Sequence, residues 1–269
     1  MVVFPHCKIN LGLHVISKRD DGYHTIETCF YPVPWTDMLE IIPAKEFSFT
    51  SSGAIIPGKE EDNLCIRAYH LLKTQFNLDP VKIHLHKVIP TGAGLGGGSS
   101  DAAFALRLLN SVFDLKLNVQ QLRGYASQLG SDCSFFIEDK PMLGSGRGEQ
   151  LVDLSLSLKG LYLVIVKPDI HVSTTEAYAG VEPQVPHQTL AEVLSQPVME
   201  WKHLLFNDFE KSVFAKYPAV EAIKNELYDQ GAIYASMSGS GSAVFGIFRL
   251  QTERSHQFNG MHYWADYLN

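Results

Sequence analysis

A stretch rich in glycine, residues 92–98, constrains the fold of this chain more than any other feature. Five of its seven residues are glycine, and two serines follow it. The preceding segment, residues 81–86, has apolar side chains at every second position, which predicts a β-strand. The residues after the serines, 102–113, are largely apolar and predict a buried helix. The sequence therefore predicts a strand, a glycine loop and a helix N-terminus in succession.

Such an arrangement is suited to binding phosphate. Glycine lets backbone N–H groups approach an anion closely, and the start of a helix adds free N–H donors and a partial positive charge. A plain turn with a helix cap is the alternative interpretation. A P-loop is excluded, because no lysine follows the glycines.

A dinucleotide-binding loop is a further alternative. Gly92, Gly94 and Gly97 match the pattern G-x-G-x-x-G, which is a weak signal when it stands alone. The dinucleotide fold also needs an acidic residue about 20 residues further on, after a second strand. Asp114 has roughly that spacing, but it lies in a polar link between two predicted helices. The sequence context therefore argues against this interpretation.

Polar side chains share one face of a predicted strand over residues 8–16. Lys8, Asn10, Gly12 and His14 alternate there with apolar residues. The spacing alone favours a strand whose polar face points into solvent. A functional site on that face is the alternative interpretation. Asp132 lies just beyond a predicted helix that ends near residue 129. Local sequence alone favours a turn or N-cap aspartate at that position.

Composition narrows the class of protein. The chain has 269 residues, 45% of them hydrophobic, which is enough for one large or two modest domains. Its net charge is −7 and no block of Lys or Arg stands out, so nucleic acid is not expected as a partner. We find no membrane helix and no signal-peptide pattern, so we expect a cytoplasmic protein. The four cysteines are widely spaced, which is typical of reduced, mostly buried thiols.

The remaining elements follow from periodicity and capping signals. Asn63 and Asn118 are predicted to cap helices, and the last segment, residues 251–269, is predicted to be helical. Residues 144–148 are expected to form a flexible stretch, and 232–248 a strand, a glycine-serine loop and a second strand. Further strands are predicted over residues 25–33, 38–42, 47–50 and 161–166, and further helices over 64–76, 119–129, 190–195, 209–216 and 219–230.

The stretch from Pro90 to Ser100 fits the pattern Pro-x-x-x-Gly-Leu-Gly-Gly-Gly-Ser-Ser throughout. In this pattern the chain resembles the GHMP small-molecule kinases. Two more motifs of that family stand in order, Lys-Ile-Asn-Leu at residues 8–11 and Ser-Gly-Ser-Gly at residues 238–241. Gly-Ser-Asp at residues 130–132 resembles the segment that carries the family's catalytic aspartate. The resemblance therefore covers nearly the whole chain.

The resemblance implies an α+β fold with two domains. Residues 1–152 would form an N-terminal ATP-binding domain like ribosomal protein S5 domain 2, and residues 153–269 a ferredoxin-like C-terminal domain. The family's active site lies in the cleft between the domains. Within the family, the segment Asp-Gly-Tyr-His at residues 21–24 resembles kinases of a cytidine diphosphate-linked polyol. Those kinases serve isoprenoid precursor synthesis by the non-mevalonate route.

The resemblance also implies site residues and cofactors. Lys8 and Asp132 would be catalytic, with Asp132 accepting the hydroxyl proton and Lys8 keeping it ionised. ATP and Mg²⁺ are the implied cofactors, and no direct metal ligand is assigned, although Ser100 is a candidate. Substrate would contact Asn10, Tyr23, His24 and Tyr178. ATP would contact the glycine loop and two residues that border the adenine: Pro90, Thr91, Gly92, Ala93, Gly94, Leu95, Gly96, Gly97, Gly98, Ser99, Ser100, Asn63 and Leu64.

Other functions remain open at this point. Another GHMP kinase could act on homoserine, mevalonate or a sugar, although these acceptors have no base for Tyr23 to stack on. A nicotinamide-dependent oxidoreductase and a nucleotide-binding module without activity are two further alternatives. The sequence leaves the role of Asp101 undecided, because a carboxylate beside a phosphate loop would repel phosphate. We expect a monomer or a weak homodimer.

Overall fold

The structure is a computed structural model that describes residues 1–251 and 255–268. The chain divides into two compact units, and each unit is assembled from segments that are separate in sequence. The first unit comprises Met1–Lys8, Pro34–Thr91 and Gly96–Asp139, and the second comprises Ile9–Val33, Gly92–Leu95 and Lys140–Asn269. The division into family domains at residue 152 stays a prediction.

The strands and helices alternate irregularly along the chain, as expected for an α+β fold. Short 3₁₀ segments occur at Glu60–Asp62, Ser131–Ile137, Val198–Glu200 and Ser255–Phe258. The strands and α-helices in chain order are β1 (Val2–Val3), β2 (His6–Lys18), β3 (His24–Thr36), β4 (Met38–Pro43), β5 (Ser48–Gly53), α1 (Leu64–Phe76), β6 (Val81–Lys87), α2 (Gly97–Val112), α3 (Val119–Leu129), β7 (Met142–Ser145), β8 (Gln150–Asp153), β9 (Tyr162–Lys167), α4 (Thr174–Ala179), α5 (Leu190–Leu194), α6 (Trp201–Leu204), α7 (Phe209–Lys216), α8 (Pro218–Asp229), β10 (Tyr234–Met237), β11 (Val244–Phe248) and β12 (His262–Tyr267).

The first unit contains a four-stranded sheet in the order β1-β4-β6-β5. β6 pairs antiparallel with β4 and parallel with β5. Helices α1, α2 and α3 pack on one another, and α2 also packs on β4. The alternation along β6 buries Val81, Ile83 and Leu85, whereas Lys82 stays exposed. The predicted strand before the glycine loop is therefore confirmed.

The second unit contains two further sheets, in the orders β2-β3-β7-β8 and β10-β11-β9-β12. β9 is central in its sheet, and all six of its residues are buried. α8 packs on β10 and β11. The apolar side chains between α7, α8 and this sheet form a core that includes Phe209, Val220 and Val244. Burial of such side chains is the main stabilising contribution in a unit of this size.

The capping signals are confirmed. The side chain of Asn63 accepts a hydrogen bond from the N–H of Cys65 at the start of α1. Asn118 and Gln121 form a reciprocal capping box at the start of α3. These interactions link neighbours in sequence, which is why the sequence predicted them. The four cysteines are free and buried, as expected.

Two local predictions are wrong. The polar face of β2 does not face solvent, because Lys8, Asn10 and His14 are all buried. Residues 144–148, predicted as a flexible stretch, contain the end of β7 and the turn into β8, and their flexibility stays a prediction. The predicted C-terminal helix is replaced by a 3₁₀ segment and by β12, which pairs antiparallel with β9. Part of that prediction, residues 252–254 and 269, lies outside the described residues.

The prediction of a C-terminal helix failed because pairing with a distant strand determines the structure of this segment. β12 carries Tyr263, Trp264 and Tyr267, which suit a pleated surface, and β9 offers it an edge about 100 residues away in sequence. Within the described ranges, no helix has both the length and the apolar character that crossing a membrane requires.

Candidate active site

Two charged residues of the first unit lie side by side. Lys8 is in β2, and Asp132 is in the 3₁₀ segment that follows α3. The distance from Lys8 Nζ to Asp132 Oδ2 is 3.6 Å, which is within ion-pair range. The segment from α3 to this turn carries Asp132 towards β2 because Gly130 is extended and breaks the helix. The structure thus brings together the two residues that the resemblance made catalytic.

The electrostatics of this pair are asymmetric. The Lys8 side chain is 3% exposed, whereas that of Asp132 is 34% exposed. Burial lowers the pKa of Lys8 below its usual value, and the charge and hydrogen bonding of Asp132 oppose this shift. The aliphatic part of Lys8 also packs near Gly96, where an added Cβ would lie 3.2 Å from Lys8 Cε. Lys8 is therefore held in place by both packing and charge.

The start of α2 is built from the second half of the glycine loop. Gly96 is the N-cap residue and adopts the left-handed conformation with φ of 70°, which glycine adopts without strain. Ser99 lies in the first turn, where N–H groups have no partner within the helix, whereas the N–H of Ser100 donates to the carbonyl of Gly96 at 2.9 Å. Ser100 Oγ is buried and has no hydrogen-bond partner among residues 1–251 and 255–268. An unsatisfied hydroxyl at a helix N-terminus fits a site for phosphate and its cation.

The first half of the glycine loop packs within the second unit. Gly94 has φ of 76°, and an added Cβ would lie only 1.9 Å from the carbonyl oxygen of Ser238. Ser238 Oγ donates a hydrogen bond of 2.9 Å to the carbonyl of Gly94, and the N–H of Ala243 donates to the carbonyl of Ala93. The second and third sequence motifs are therefore in direct backbone contact, and Gly94 has no space for a side chain.

Asn10 is fixed by a buried hydrogen-bond chain in the second unit. Its Nδ2 donates to Thr28 Oγ1 at 2.9 Å, and Thr28 in turn donates to the carbonyl of Gly12 at 2.6 Å. The backbone N–H of Asn10 donates to Ser238 Oγ at 3.3 Å. The first and third motifs thus meet at Asn10. Sequence reasoning did not single out Thr28, although a threonine among the apolar residues of β3 is a weak signal.

The residues expected to hold the acceptor lie on β3, the turn before it and α4. His24 stacks on Tyr178 with ring centroids 4.6 Å apart and planes inclined by 15°. Tyr178 packs edge-on against Phe209, which fixes its ring. Tyr23 is 56% exposed, and the guanidinium of Arg147 lies 4.9 Å from its ring centroid. Arg147 belongs to the β7–β8 turn and was not predicted as a site residue.

The remaining residues that the sequence analysis singled out lie at helix starts, in loops and in turns. Asn63 caps α1 and Leu64 is the first residue of that helix. Pro90 and Thr91 link β6 to the glycine loop. Asp114 is exposed in the turn after α2 with φ of 48°, and it does not follow a strand. The context that a dinucleotide-binding fold needs is therefore missing at this position.

Asp101 is buried near the start of α2 and pairs with Lys87, the last residue of β6. Lys87 Nζ lies 2.8 Å from Asp101 Oδ2 and also contacts Asp37 Oδ2. Burial raises the pKa of Asp101, and the charge of Lys87 opposes that shift. Burial lowers the pKa of Lys87, but Asp101 and Asp37 outweigh it and raise the pKa above its usual value. The carboxylate next to the glycine loop is thus paired with an internal ammonium group.

Sequence reasoning missed this cluster, although a signal exists. The apolar register of β6 places residues 81, 83 and 85 in the core, and position 87 continues that register with a lysine. A charged residue at a core position needs a buried partner.

Among the described residues, no group of three or more His, Cys, Asp or Glu side chains is arranged to hold a metal ion.

Family models match both parts of the chain. The model described as GHMP kinases N terminal domain matches residues 63–139, and the one described as GHMP kinases C terminal matches residues 190–261. The first match contains the glycine loop and Asp132, and the second contains the Ser-Gly-Ser-Gly motif. The family matches and the contacts among the three motifs therefore agree.

Individual proteins are also similar over nearly the full length. The 4-diphosphocytidyl-2-C-methyl-D-erythritol kinase of Cytophaga hutchinsonii is 55% identical over 258 residues, which is 96% of each chain. A crystal structure of 4-(cytidine 5'-diphospho)-2C-methyl-D-erythritol kinase is 30% identical, with a TM-score of 0.80 and 98% of each chain covered. A homoserine kinase structure from Cytophaga hutchinsonii is 17% identical with a TM-score of 0.64, covering 98% of this chain and 95% of that one, and shares the fold alone. The chain therefore belongs to the GHMP kinases, in the family of the 4-diphosphocytidyl-2-C-methyl-D-erythritol kinases.

Proposed function

We propose that this chain transfers the γ-phosphoryl group of ATP to the 2-hydroxyl of 4-diphosphocytidyl-2-C-methyl-D-erythritol. The products are the 2-phosphate and ADP, and the reaction belongs to the non-mevalonate route to isoprenoid precursors. As a member of the GHMP kinases, the chain is a small-molecule kinase that uses ATP. The acceptor is proposed from the activity that names the relatives, which are about 50% identical over nearly the whole chain.

The observation that carries the chemistry is the pairing of Lys8 with Asp132 at 3.6 Å. Phosphoryl transfer depends mainly on positioning and on stabilising negative charge. Asp132 accepts the proton of the attacking hydroxyl, and its exposure leaves it accessible to an acceptor. The buried ammonium of Lys8 faces the Asp132 carboxylate and stabilises charge that develops on the transferred group.

The glycine loop and the start of α2 are proposed to hold the triphosphate. The proposed contacts are the backbone of residues 90–98 and the hydroxyls of Ser99 and Ser100, with Asn63 and Leu64 beside the adenine. Mg²⁺, when bound, offsets the charge on the phosphate oxygens. Ser100 is the side chain proposed to hold it, because its hydroxyl is buried and has no hydrogen-bond partner in the described part of the chain.

The acceptor is proposed to contact Asn10, Tyr23, His24 and Tyr178. The hydrogen bond to Thr28 holds the Asn10 amide in one orientation, and this amide is proposed to orient the polyol. Tyr23, His24 and Tyr178 offer aromatic surfaces and one imidazole edge for the cytosine ring. Residues 1–152 are proposed as the N-terminal family domain and residues 153–269 as the C-terminal one.

The test is ADP release from MgATP, coupled to pyruvate kinase, with 4-diphosphocytidyl-2-C-methyl-D-erythritol as acceptor. Homoserine and mevalonate serve as parallel acceptors, and Asp132→Ala serves as the blank. Asp153→Ala is a matched control, because this exposed carboxylate pairs with Lys140 at 2.7 Å and is not assigned to the proposed site.

The expected result is turnover with the cytidine substrate alone, lost in Asp132→Ala and retained in Asp153→Ala. Turnover with homoserine or mevalonate instead would keep the kinase chemistry and overturn the proposed acceptor. ATP binding without turnover on any acceptor would overturn the proposed reaction.

A further inference from the structure

A buried cluster of three charged side chains lies directly beneath the start of α2. It consists of Asp37, between β3 and β4, Lys87 at the end of β6, and Asp101 in α2. Their side chains are 0%, 2% and 4% exposed, respectively. All three belong to the first unit. The proposed chemistry uses none of them, so their presence needs another explanation.

The cluster ties three separate segments to one ammonium group. Lys87 Nζ donates to Asp37 Oδ2 and to Asp101 Oδ2. Asp37 Oδ1 accepts the backbone N–H groups of Val88 at 2.6 Å and Ile89 at 2.8 Å. These two residues lead from β6 towards the glycine loop. The end of the strand and the start of the helix are therefore fixed to the same point.

Lys87 also packs against the first residue of α2. An added Cβ at Gly97 would lie 2.9 Å from Lys87 Nζ and 3.0 Å from Ile89 Cγ2. Gly97 does not have a positive φ, so its lack of a side chain is required by space and not by conformation. The position of the ammonium group thus determines how closely the first turn of α2 approaches the end of β6.

Stability by itself does not account for this arrangement. Replacing buried ionic groups with apolar side chains of similar size is often neutral or stabilising. Asp101 Oδ1 is buried and has no hydrogen-bond partner in the described portions of the chain, which costs free energy. The cluster also places two carboxyl groups and one ammonium group near a helix start that is proposed to bind phosphate.

We propose that Lys87, held between Asp37 and Asp101, is a positioning residue that sets the affinity for ATP by fixing the first turn of α2 against β6. This inference rests on the proposed function, since it assumes that ATP phosphates bind at the start of α2. It assigns no contact with substrate to the cluster. The N–H groups and hydroxyls in the first turn of α2 contact ATP, and the cluster sets the positions of those groups.

Two variants of Asp101 separate positioning from charge. Asp101→Asn and Asp101→Leu both remove the negative charge, but only asparagine keeps an oxygen that can accept a hydrogen bond from Lys87. Positioning predicts that Asp101→Leu raises KM for ATP about tenfold, with kcat and KM for the acceptor nearly unchanged. It also predicts that Asp101→Asn stays within about threefold of wild type. Equal ATP affinity in the two variants would overturn the proposal.

A third variant keeps the net charge of the cluster and removes the hydrogen bonds that Lys87 donates to the two aspartates. Lys87→Met with Asp101→Asn leaves one carboxylate, so the net charge of the cluster stays −1 when both aspartates of the wild type are ionised. Asp37 keeps its two backbone donors, which supports folding. We expect KM for ATP to rise about tenfold in this double variant as well. Wild-type KM in a folded double variant would contradict the inference, even if Asp101→Leu failed to fold.

Glu138→Gln is the matched control, because it weakens the ion pair with Arg123 in the same unit without touching the cluster. Thermal unfolding of every variant shows whether a change in KM reflects loss of fold. Calorimetric binding of a non-hydrolysable ATP analogue provides a readout that needs no acceptor. If wild type binds the analogue but phosphorylates nothing, the proposed function fails, and the analogue affinities of the variants still decide the inference. If wild type does not bind the analogue, the inference fails with it.

Discussion

Lys8 and Asp132 form an ion pair in which one partner is buried and the other reaches solvent. Their charged atoms are 3.6 Å apart, and the side chains are 3% and 34% exposed. A buried ammonium group keeps a fixed position, whereas a partly exposed carboxylate can receive a proton and release it to water. This asymmetry is consistent with the base role proposed for Asp132.

Removing the proposed base should affect turnover and not nucleotide binding. Asp132→Ala is expected to lower kcat by about 10²–10⁴-fold, the usual scale for general-base catalysis. The affinity for a non-hydrolysable ATP analogue should change little, because Asp132 is not assigned to the phosphate site. Steady-state kinetics and calorimetry measure the two effects, and near-normal turnover would remove Asp132 from the base role.

Replacing Lys8 with an apolar residue should lower kcat without lowering the free energy of unfolding. Burial lowers the pKa of Lys8, so the folded state disfavours the ammonium form relative to the unfolded chain. Lys8→Met is therefore expected to leave the free energy of unfolding at pH 7 no lower than in wild type, because the remaining Asp132 is partly exposed and can be hydrated. The same variant is expected to lower kcat at least about 100-fold. Denaturant unfolding and steady-state kinetics test the two parts.

The stability difference should also depend on pH. Between the lowered pKa of folded Lys8 and its usual value of 10.5, the unfolded chain binds more protons, so wild type gains stability as the pH rises. The advantage of Lys8→Met should shrink across that window. A constant difference from pH 7 to pH 10 would mean that burial of the charge is not the cause.

The aromatic residues on β3 and before it should determine the affinity for the acceptor. Tyr23→Ala and His24→Ala are each expected to raise KM for the cytidine substrate about tenfold, since stacking on a base is worth about 1–3 kcal/mol. KM for ATP should stay near wild type. Tyr125→Ala is a control, because this ring packs against Phe76 in the first unit. An unchanged acceptor KM in both variants would refute the assignment.

Gly94 should tolerate no side chain. Its φ of 76° costs an L-residue about 1–2 kcal/mol, and an alanine Cβ would also collide with the Ser238 carbonyl. Gly94→Ala is expected to lower the melting temperature by several degrees and to weaken ATP binding. Gly124→Ala is the matched control, because its Cβ would meet nothing within 4 Å in helix α3, and it should stabilise the chain slightly. Equal melting temperatures for the two variants would contradict this account.

Local structure was largely predictable because its causes are local. The alternation in β6, the caps at Asn63 and Asn118 and the glycines before α2 involve residues within a few positions of one another. The predictions failed where contacts with distant segments determine the local structure. β12 pairs with β9, a strand about 100 residues away, and its own aromatic residues favour a strand only weakly without that partner.

By itself the sequence determined the strand, the glycine loop and the helix, and the order of the three motifs, and its resemblance to the family predicted the site residues. Only the tertiary structure decided what those residues contact. It buried the polar face of β2, placed Lys8 beside Asp132, and gave the lysine at the end of β6 two aspartates from segments 50 and 14 residues away. The reason is physical: desolvation and ion pairing depend on distances in space, and spacing along the chain fixes those distances only within single helices and strands.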